Sequence, residues 1–190
     1  MKDIITNIYK QNAYKPEYIL SERDNVNFKD TDSHSTYGEI TETATQSIIE
    51  EFKSNFNEKA VFYDLGCGMG KMVCHVGLVT GIKSVGIELS EKRFQGAIDT
   101  KEKFCKNADN IVFLKGNFLT LDIEEATIVY CDNTVMPADV TLKIYDKLQK
   151  GCMFMYRKCL RKYLDNQATV TGDEWITTYN TCNLRYIIKK

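Results

Sequence analysis

No stretch of this 190-residue chain runs for roughly eighteen apolar residues, and Met1-Lys2-Asp3-Ile4-Ile5 does not open a charged segment followed by a long apolar core. These absences exclude a membrane helix and a secretory leader, so the expected setting is intracellular, nuclear or cytoplasmic, with no membrane partner. Charge of one sign is lacking as well: 25 Lys and Arg against 26 Asp and Glu leave a net charge of -1. A strongly basic nucleic-acid binder would show its charge in bulk, so any contact with a polyanion has to come from local patches. There are two histidines, His34 and His75, and none of the seven cysteines forms a Cys-x-x-Cys pair. A zinc site is therefore not expected, nor any other metal. The odd number of cysteines and their apolar surroundings read as reduced, buried thiols acting as small hydrophobes. Repeats and low-complexity tracts are absent.

The length suits one domain with a substantial core, and 43% hydrophobic and 11% aromatic residues place the chain among soluble globular proteins. Residues 1–35 are polar, with a weak apolar rhythm through Ile5, Ile8, Tyr9 and Ile19, and read as an N-terminal arm or extension: a short helix followed by a docked or mobile arm. Residues 36–190 read as a single domain. It begins with a loop, Ser35 to Thr41, and a helix whose apolar positions Ala44, Ile48, Ile49, Phe52 and Phe56 recur at helical spacing, with Thr43 and Gln46 as a capping box. Strands and helices then alternate. Strands are expected at 61–65, 84–88, 111–115, 127–131 and 152–156. Helices follow from about Met69, from Ser90 as N-cap, and after Pro137. Two further strands, Glu174 to Tyr179 and Leu184 to Ile188, read as a hairpin joined through Asn180 to Asn183. The expected fold is α/β, a doubly wound Rossmann-like sheet that is mostly parallel, with a C-terminal antiparallel hairpin strand.

The chain is organised around Val61-Phe62-Tyr63-Asp64-Leu65-Gly66-Cys67-Gly68-Met69-Gly70-Lys71: a strand, three glycines on alternate positions, and a helix start. Glycine lets a ligand lie against bare backbone and permits φ > 0 where the chain bends sharply. The dinucleotide fingerprint Gly-x-Gly-x-x-Gly would put its third glycine where Lys71 stands. The pattern here is Asp-x-Gly-x-Gly-x-Gly instead, and the acid before the turn suits a ligand with a cationic amino group better than a pyrophosphate. That describes S-adenosylmethionine. Glu88 ends the second strand about twenty residues on, where α/β nucleotide sites carry the carboxylate for ribose hydroxyls. Asn117 and Phe118 follow the third strand and suit an adenine amine and ring, while Asp132 ends the fourth. Ligands in such sheets bind beyond the carboxyl ends of the strands at the switch point, and Asp64, Gly66, Glu88, Asn117 and Asp132 all fall there.

With these motifs the chain resembles the class I S-adenosylmethionine-dependent methyltransferases. Within them it is similar to the Dot-one-like (disruptor of telomeric silencing) family of histone lysine methyltransferases that lack a SET domain. The family-specific part is Tyr37-Gly38-Glu39 ahead of a helix, then Asp64 to Gly70, Gly116-Asn117-Phe118-Leu119, and Asp132-Asn133. The resemblance implies that Tyr37 and Glu39 close over the methionine part of the cofactor. Asp64 and Gly66 would hold its amino-acid end, Glu88 the ribose, and Asn117 with Phe118 the adenine. Thr41, Gly68 and Lys71 complete the implied cofactor set, and Asp132 with Asn133 are the implied catalytic pair beside the reacting methyl.

Several positions depart from the family pattern: Ile40 for Thr, Asn117 for Asp and Asp132 for Asn. Thr134 stands where an aromatic of the lysine channel is expected and Thr177 where a channel tyrosine is, with Trp175 or Tyr179 as a replacement wall. The implied reaction is direct displacement, in which a neutral lysine amine meets the sulfonium methyl in line. The implied partner is a histone or nucleosome, with nucleic acid contacted only as part of the nucleosome through Arg157 to Lys162, Arg185, Lys189 and Lys190. A monomer is expected. Alternatives are a broader protein lysine methyltransferase, an RNA or small-molecule methyltransferase, and an inactive cofactor-binding module. Asp132-Asn133-Thr134-Val135 lacks the Pro-Pro-aromatic run that stacks a flipped adenine, which ranks base methylation lower.

Overall fold

The computed structural model describes residues 1–11, 38–158, 160, 169–176 and 181–190, with 169–176 and 181–183 described by their backbone. Its centre is a seven-stranded sheet of order β3-β2-β1-β4-β5-β7-β6. The strands are β1 Val61–Leu65, β2 Lys83–Glu88, β3 Ile111–Lys115, β4 Ile128–Cys131, β5 Met153–Tyr156, β6 Thr169–Ile176 and β7 Thr181–Ile188. The first five are parallel; β7 runs antiparallel to β5 and β6 antiparallel to β7. The helices are α1 Lys2–Tyr9, α2 Glu42–Glu51, α3 Lys71–Thr80, α4 Glu91–Phe104 and α5 Ala138–Lys147.

Because successive strand residues point to opposite faces, the buried runs of β1 and β4 feed two cores. Phe62 and Tyr130 join one cluster with Ile5, Ile8, Ile48, Met72, Val73 and Ala97, under α1 to α4. Tyr63 and Val129 join the other with Val140, Ile144 and Phe154, under α5. This is the doubly wound arrangement that alternating strands and helices predict. All five described cysteines, at 67, 74, 105, 131 and 152, are buried free thiols.

Two local expectations are corrected. Helix α2 is capped by Thr41, not by the Thr43 and Gln46 box. Thr41 is extended (φ -79, ψ 162), so its hydroxyl accepts from the Ala44 N–H at 3.2 Å. Gln46 instead reaches across to His75 and along its own helix to Glu50. In the hairpin, the pairs Trp175↔Cys182 and Ile176↔Thr181 bring the connection back to 177–180. The polar run Thr181 to Asn183 is in the ladder because backbone groups, not apolar side chains, make the pairing bonds. Between Val170↔Arg185 and Glu174↔Asn183, β6 advances four residues while β7 advances two, so a bulge absorbs the surplus.

Candidate active site

The strand order reverses at β1 and β4, which are neighbours in register from Phe62↔Ile128 to Asp64↔Tyr130. Two residues beyond that last pair, Gly66 and Asp132 face each other across the switch point. They line a cleft with Gly38, Glu39, Ile40, Asp64, Cys67, Lys71, Met72 and Tyr130.

The three turn glycines have different duties. Gly66 (φ 87) has nothing within 4 Å of where a Cβ would stand, so its bare side faces open space at the cleft. Gly68 donates its N–H to Glu88 Oε2 at 2.9 Å. Gly70 (φ 72) is the N-cap of α3, and a Cβ there would fall 2.3 Å from the Phe113 ring, so this glycine is required by packing. The N–H groups of Gly66 and Cys67 both bond the Ile87 carbonyl, which ties the turn to the end of β2. Glu88 completes that tie. It is buried, and its second oxygen accepts from the Ser90 N–H at 2.8 Å. Burial pushes its carboxyl upward, opposed by the nearby Arg93 and by the amides. Each carboxylate oxygen retains acceptor capacity beyond one hydrogen bond.

Acid and base meet at the mouth of the turn. Lys71 is 4% exposed; its Nζ donates to Glu39 Oε2 and to the Gln11 carbonyl, both at 2.7 Å. One buried cation thus joins α3 to the loop at 38–40 and to the chain leaving α1. Asp64, also buried, has its carboxyl raised to about 8, first by burial and then by the charges of Glu88 and Asp132. A site with a carboxyl and an ammonium at one end fits the zwitterionic amino-acid end of S-adenosylmethionine, and Gly66 leaves room above the backbone there.

Asp132 is held on both oxygens. Oδ1 accepts from the Thr134 N–H at 3.2 Å and hydroxyl at 2.6 Å, and Oδ2 takes Arg157 Nη1 at 2.9 Å. Thr134 therefore orients the carboxylate. Asn133 is fully buried: its Oδ1 accepts from the Arg157 and Lys158 N–H groups at 2.9 and 2.6 Å, and its Nδ2 donates to Thr141 Oγ1 and the Lys158 carbonyl. These bonds make Asn133 a clamp between the ends of β4 and β5, and it is not among the residues lining the cleft.

Other sequence-predicted residues lie apart from the cleft lining. Thr41 is committed to the α2 cap. The Asn117 Oδ1 accepts from the Leu119 N–H at 2.9 Å, and Phe118 packs against the α5-side core. Trp175 is on β6, but its side chain, like Tyr37, Thr177 and Tyr179, lies outside the described residues. The sequence reading grouped Arg157 with a basic surface stretch and Arg185 with the terminal basic residues. Instead Arg157 is buried against Asp132, and Arg185 Nη1 donates to the Arg157 carbonyl at 2.7 Å. Position was the available signal: Arg157 directly follows β5, at the same sheet edge as the other strand-end residues.

Fold and site together define a class I S-adenosylmethionine-dependent methyltransferase. Solved structures of this class share the fold. An RNA methyltransferase from Salinibacter ruber, in complex with S-adenosyl-L-homocysteine, superposes with a TM-score of 0.62 at 19% identity, over 78% of this chain and 92% of that one. Magnesium protoporphyrin IX methyltransferase from Synechocystis PCC 6803, with bound S-adenosylmethionine, gives 0.62 at 13% identity over 100% and 91%. The family model described as "Histone methylation protein DOT1" matches residues 17–179, and the chain belongs to that family. Among curated relatives, the histone-lysine N-methyltransferase, H3 lysine-79 specific, of Caenorhabditis elegans is 35% identical over 126 residues, 60% of this chain and 13% of that protein. A protein-lysine N-methyltransferase of Saccharolobus islandicus (strain REY15A) is 31% identical over 97 residues, 50% of this chain and 58% of that one. The chain thus spans less than two thirds of either relative.

Proposed function

We propose that this protein is a protein lysine N-methyltransferase that transfers the methyl group of S-adenosylmethionine to a lysine amine of a nucleosomal core histone. The observation that carries this reading is the placement of Asp132, a strand-end carboxylate held on both oxygens, in the same cleft as Asp64, Gly66, Lys71 and Glu39. The cofactor supplies a methyl on a positively charged sulfur. Asp64 would hold its ammonium, Lys71 its carboxylate, and Glu88 its ribose hydroxyls. The loop at 38–40, pinned through Glu39 to Lys71, would exclude water from that end. Asp132 would accept a hydrogen bond from the acceptor ammonium and, once solvent has taken one of its protons, hold the neutral amine with its lone pair in line.

A broader protein lysine methyltransferase is the second reading. It is favoured by the similarity to the Saccharolobus protein and by the inward placement of Arg157 and Arg185, which removes both from the expected basic patch. Incubation with labelled S-adenosylmethionine and, separately, nucleosomes, free histones and RNA, read by intact mass, separates these readings. Methyl transfer to histone only within nucleosomes supports the first; equal transfer to free histones supports the second; transfer to RNA alone overturns both. Asp132→Ala should leave cofactor affinity within about threefold and abolish turnover, and unchanged turnover would remove Asp132 from its role.

A further inference from the structure

We propose that Arg157 is a positioning residue of the methyl-transfer site. It holds the Asp132 carboxylate aimed at the cleft and offsets the charge that Asp132 adds beside Asp64. The proposal rests on the methyltransferase reading above. The chain leaves Tyr156, which pairs with Cys131 on one side and Arg185 on the other, so Arg157 and Asp132 come out level at neighbouring strand ends. Arg157 is 3% exposed, whereas the Asp132 side chain is 24% exposed and opens onto the cleft. One end of the ion pair is thus sealed in protein and the other presented.

The backbone of Arg157 is itself fixed. Its N–H donates to Asn133 Oδ1 at 2.9 Å, and its carbonyl accepts from Arg185 Nη1 at 2.7 Å. With Thr134 on the opposite oxygen, the Asp132 carboxylate has neither rotational nor translational freedom, which is what in-line transfer demands of the group that orients the acceptor.

Charge argues the same way. Among the described residues, the groups facing Asp132 include Asp64 from β1, Glu39 and Lys71 across the cleft, Cys131 on its own strand, and Arg157 after β5. Lys71 is engaged with Glu39, and Arg157 is a cation bonded to Asp132 among the described residues. A carboxylate that loses a cation bonded to it protonates more readily.

The test compares Arg157→Gln, Arg157→Lys, Asp132→Asn and the double Asp132→Asn/Arg157→Gln. S-adenosylmethionine affinity is measured by calorimetry, kcat by methylation of whichever histone substrate the wild type accepts, and the Asp132 carboxyl titration by carbon NMR. Arg157→Gln should keep cofactor affinity within about threefold, lower kcat at least tenfold, move the Asp132 titration upward, and recover part of its activity as pH rises. Arg157→Lys should recover activity partly, and the double variant should be no worse than Asp132→Asn.

Wild-type kcat and an unmoved titration in Arg157→Gln would overturn the proposal, as would a double variant much worse than Asp132→Asn. If Arg157→Gln does not fold, the lysine and double variants decide, because neither buries a lone carboxylate. A wild type that methylates no acceptor would overturn the functional reading, while the NMR titration would still report whether Arg157 governs Asp132.

Discussion

Asp64 shows at the scale of one residue how a binding site costs stability. Its carboxyl titrates near 4 when exposed in the unfolded chain and at about 8 in the fold, where burial and the charges of Glu88 and Asp132 disfavour ionisation. Between those values the folded chain holds the extra proton, so this group's contribution to stability falls as pH rises from 4 to 8. Asp64→Asn should therefore raise the thermal midpoint of the ligand-free protein at pH 8, with the difference vanishing towards pH 4. The same substitution should weaken S-adenosylmethionine at least tenfold by calorimetry. A variant that is less stable at pH 8 than the wild type would contradict the assignment. Position marked Asp64, Gly66, Glu88 and Asp132 as candidates, because all four fall at carboxyl ends of strands, where sheets of this kind bind ligands. It could not mark Asn133 as a clamp or Thr134 as the partner of Asp132, since both depend on which way the chain turns after Cys131.

Among the elements, α1 shows what a weak apolar rhythm leaves open. Lys2–Tyr9 lies in what the sequence presents as an arm, yet Ile5 and Ile8 join the core cluster beneath α2, α3 and α4. Thr6 bonds Glu42 at 3.0 Å, and the Tyr9 hydroxyl bonds Thr45 at 2.8 Å and lies 3.3 Å from His75 Nδ1. His75 is buried with its pKa pushed down to about 4 by desolvation, so the neutral ring belongs to this network. Beyond α1, the Gln11 carbonyl accepts from Lys71 at the mouth of the cleft. Ile8→Ala should cost about 2–4 kcal/mol in denaturant unfolding and also lower cofactor affinity, because losing α1 loosens the Lys71 contact. Destabilisation with unaltered affinity would separate the helix from the site. The weak apolar rhythm suggested a short helix here but left docked and mobile placements both open. The strands, with their continuous apolar runs, were legible nearly to the residue, and the hairpin less so because its polar residues pair through the backbone.

For the whole molecule, the balance of charge bears on how a nucleosome could be held. Of the basic residues expected to form a patch, Arg157 and Arg185 are turned into the fold, and Lys189 stands 3.9 Å over the Tyr145 ring and 3.9 Å from Asp146. Of that expected patch, Lys158 and Lys190 remain exposed among the described residues. Raising salt from 50 to 200 mM should therefore weaken nucleosome association by less than about 100-fold, against the 10³- to 10⁵-fold loss of a protein that neutralises six to ten phosphates. Fluorescence titration at the two salts reads the slope, and a steep one would mean that basic segments outside the described residues make the contact. The sequence by itself determined the alternation of strands and helices, the glycine turn and the acids at the strand ends, because these follow from local periodicity and from side chains placed against nearby backbone. Only the tertiary structure decided that Lys71 joins three segments, that Arg157 belongs to Asp132 rather than to a basic surface, and that α1 is part of the core. Each of those depends on distances between residues far apart in the chain, and the strand order that sets such distances is written in the packing of the sheet rather than in any one stretch of it.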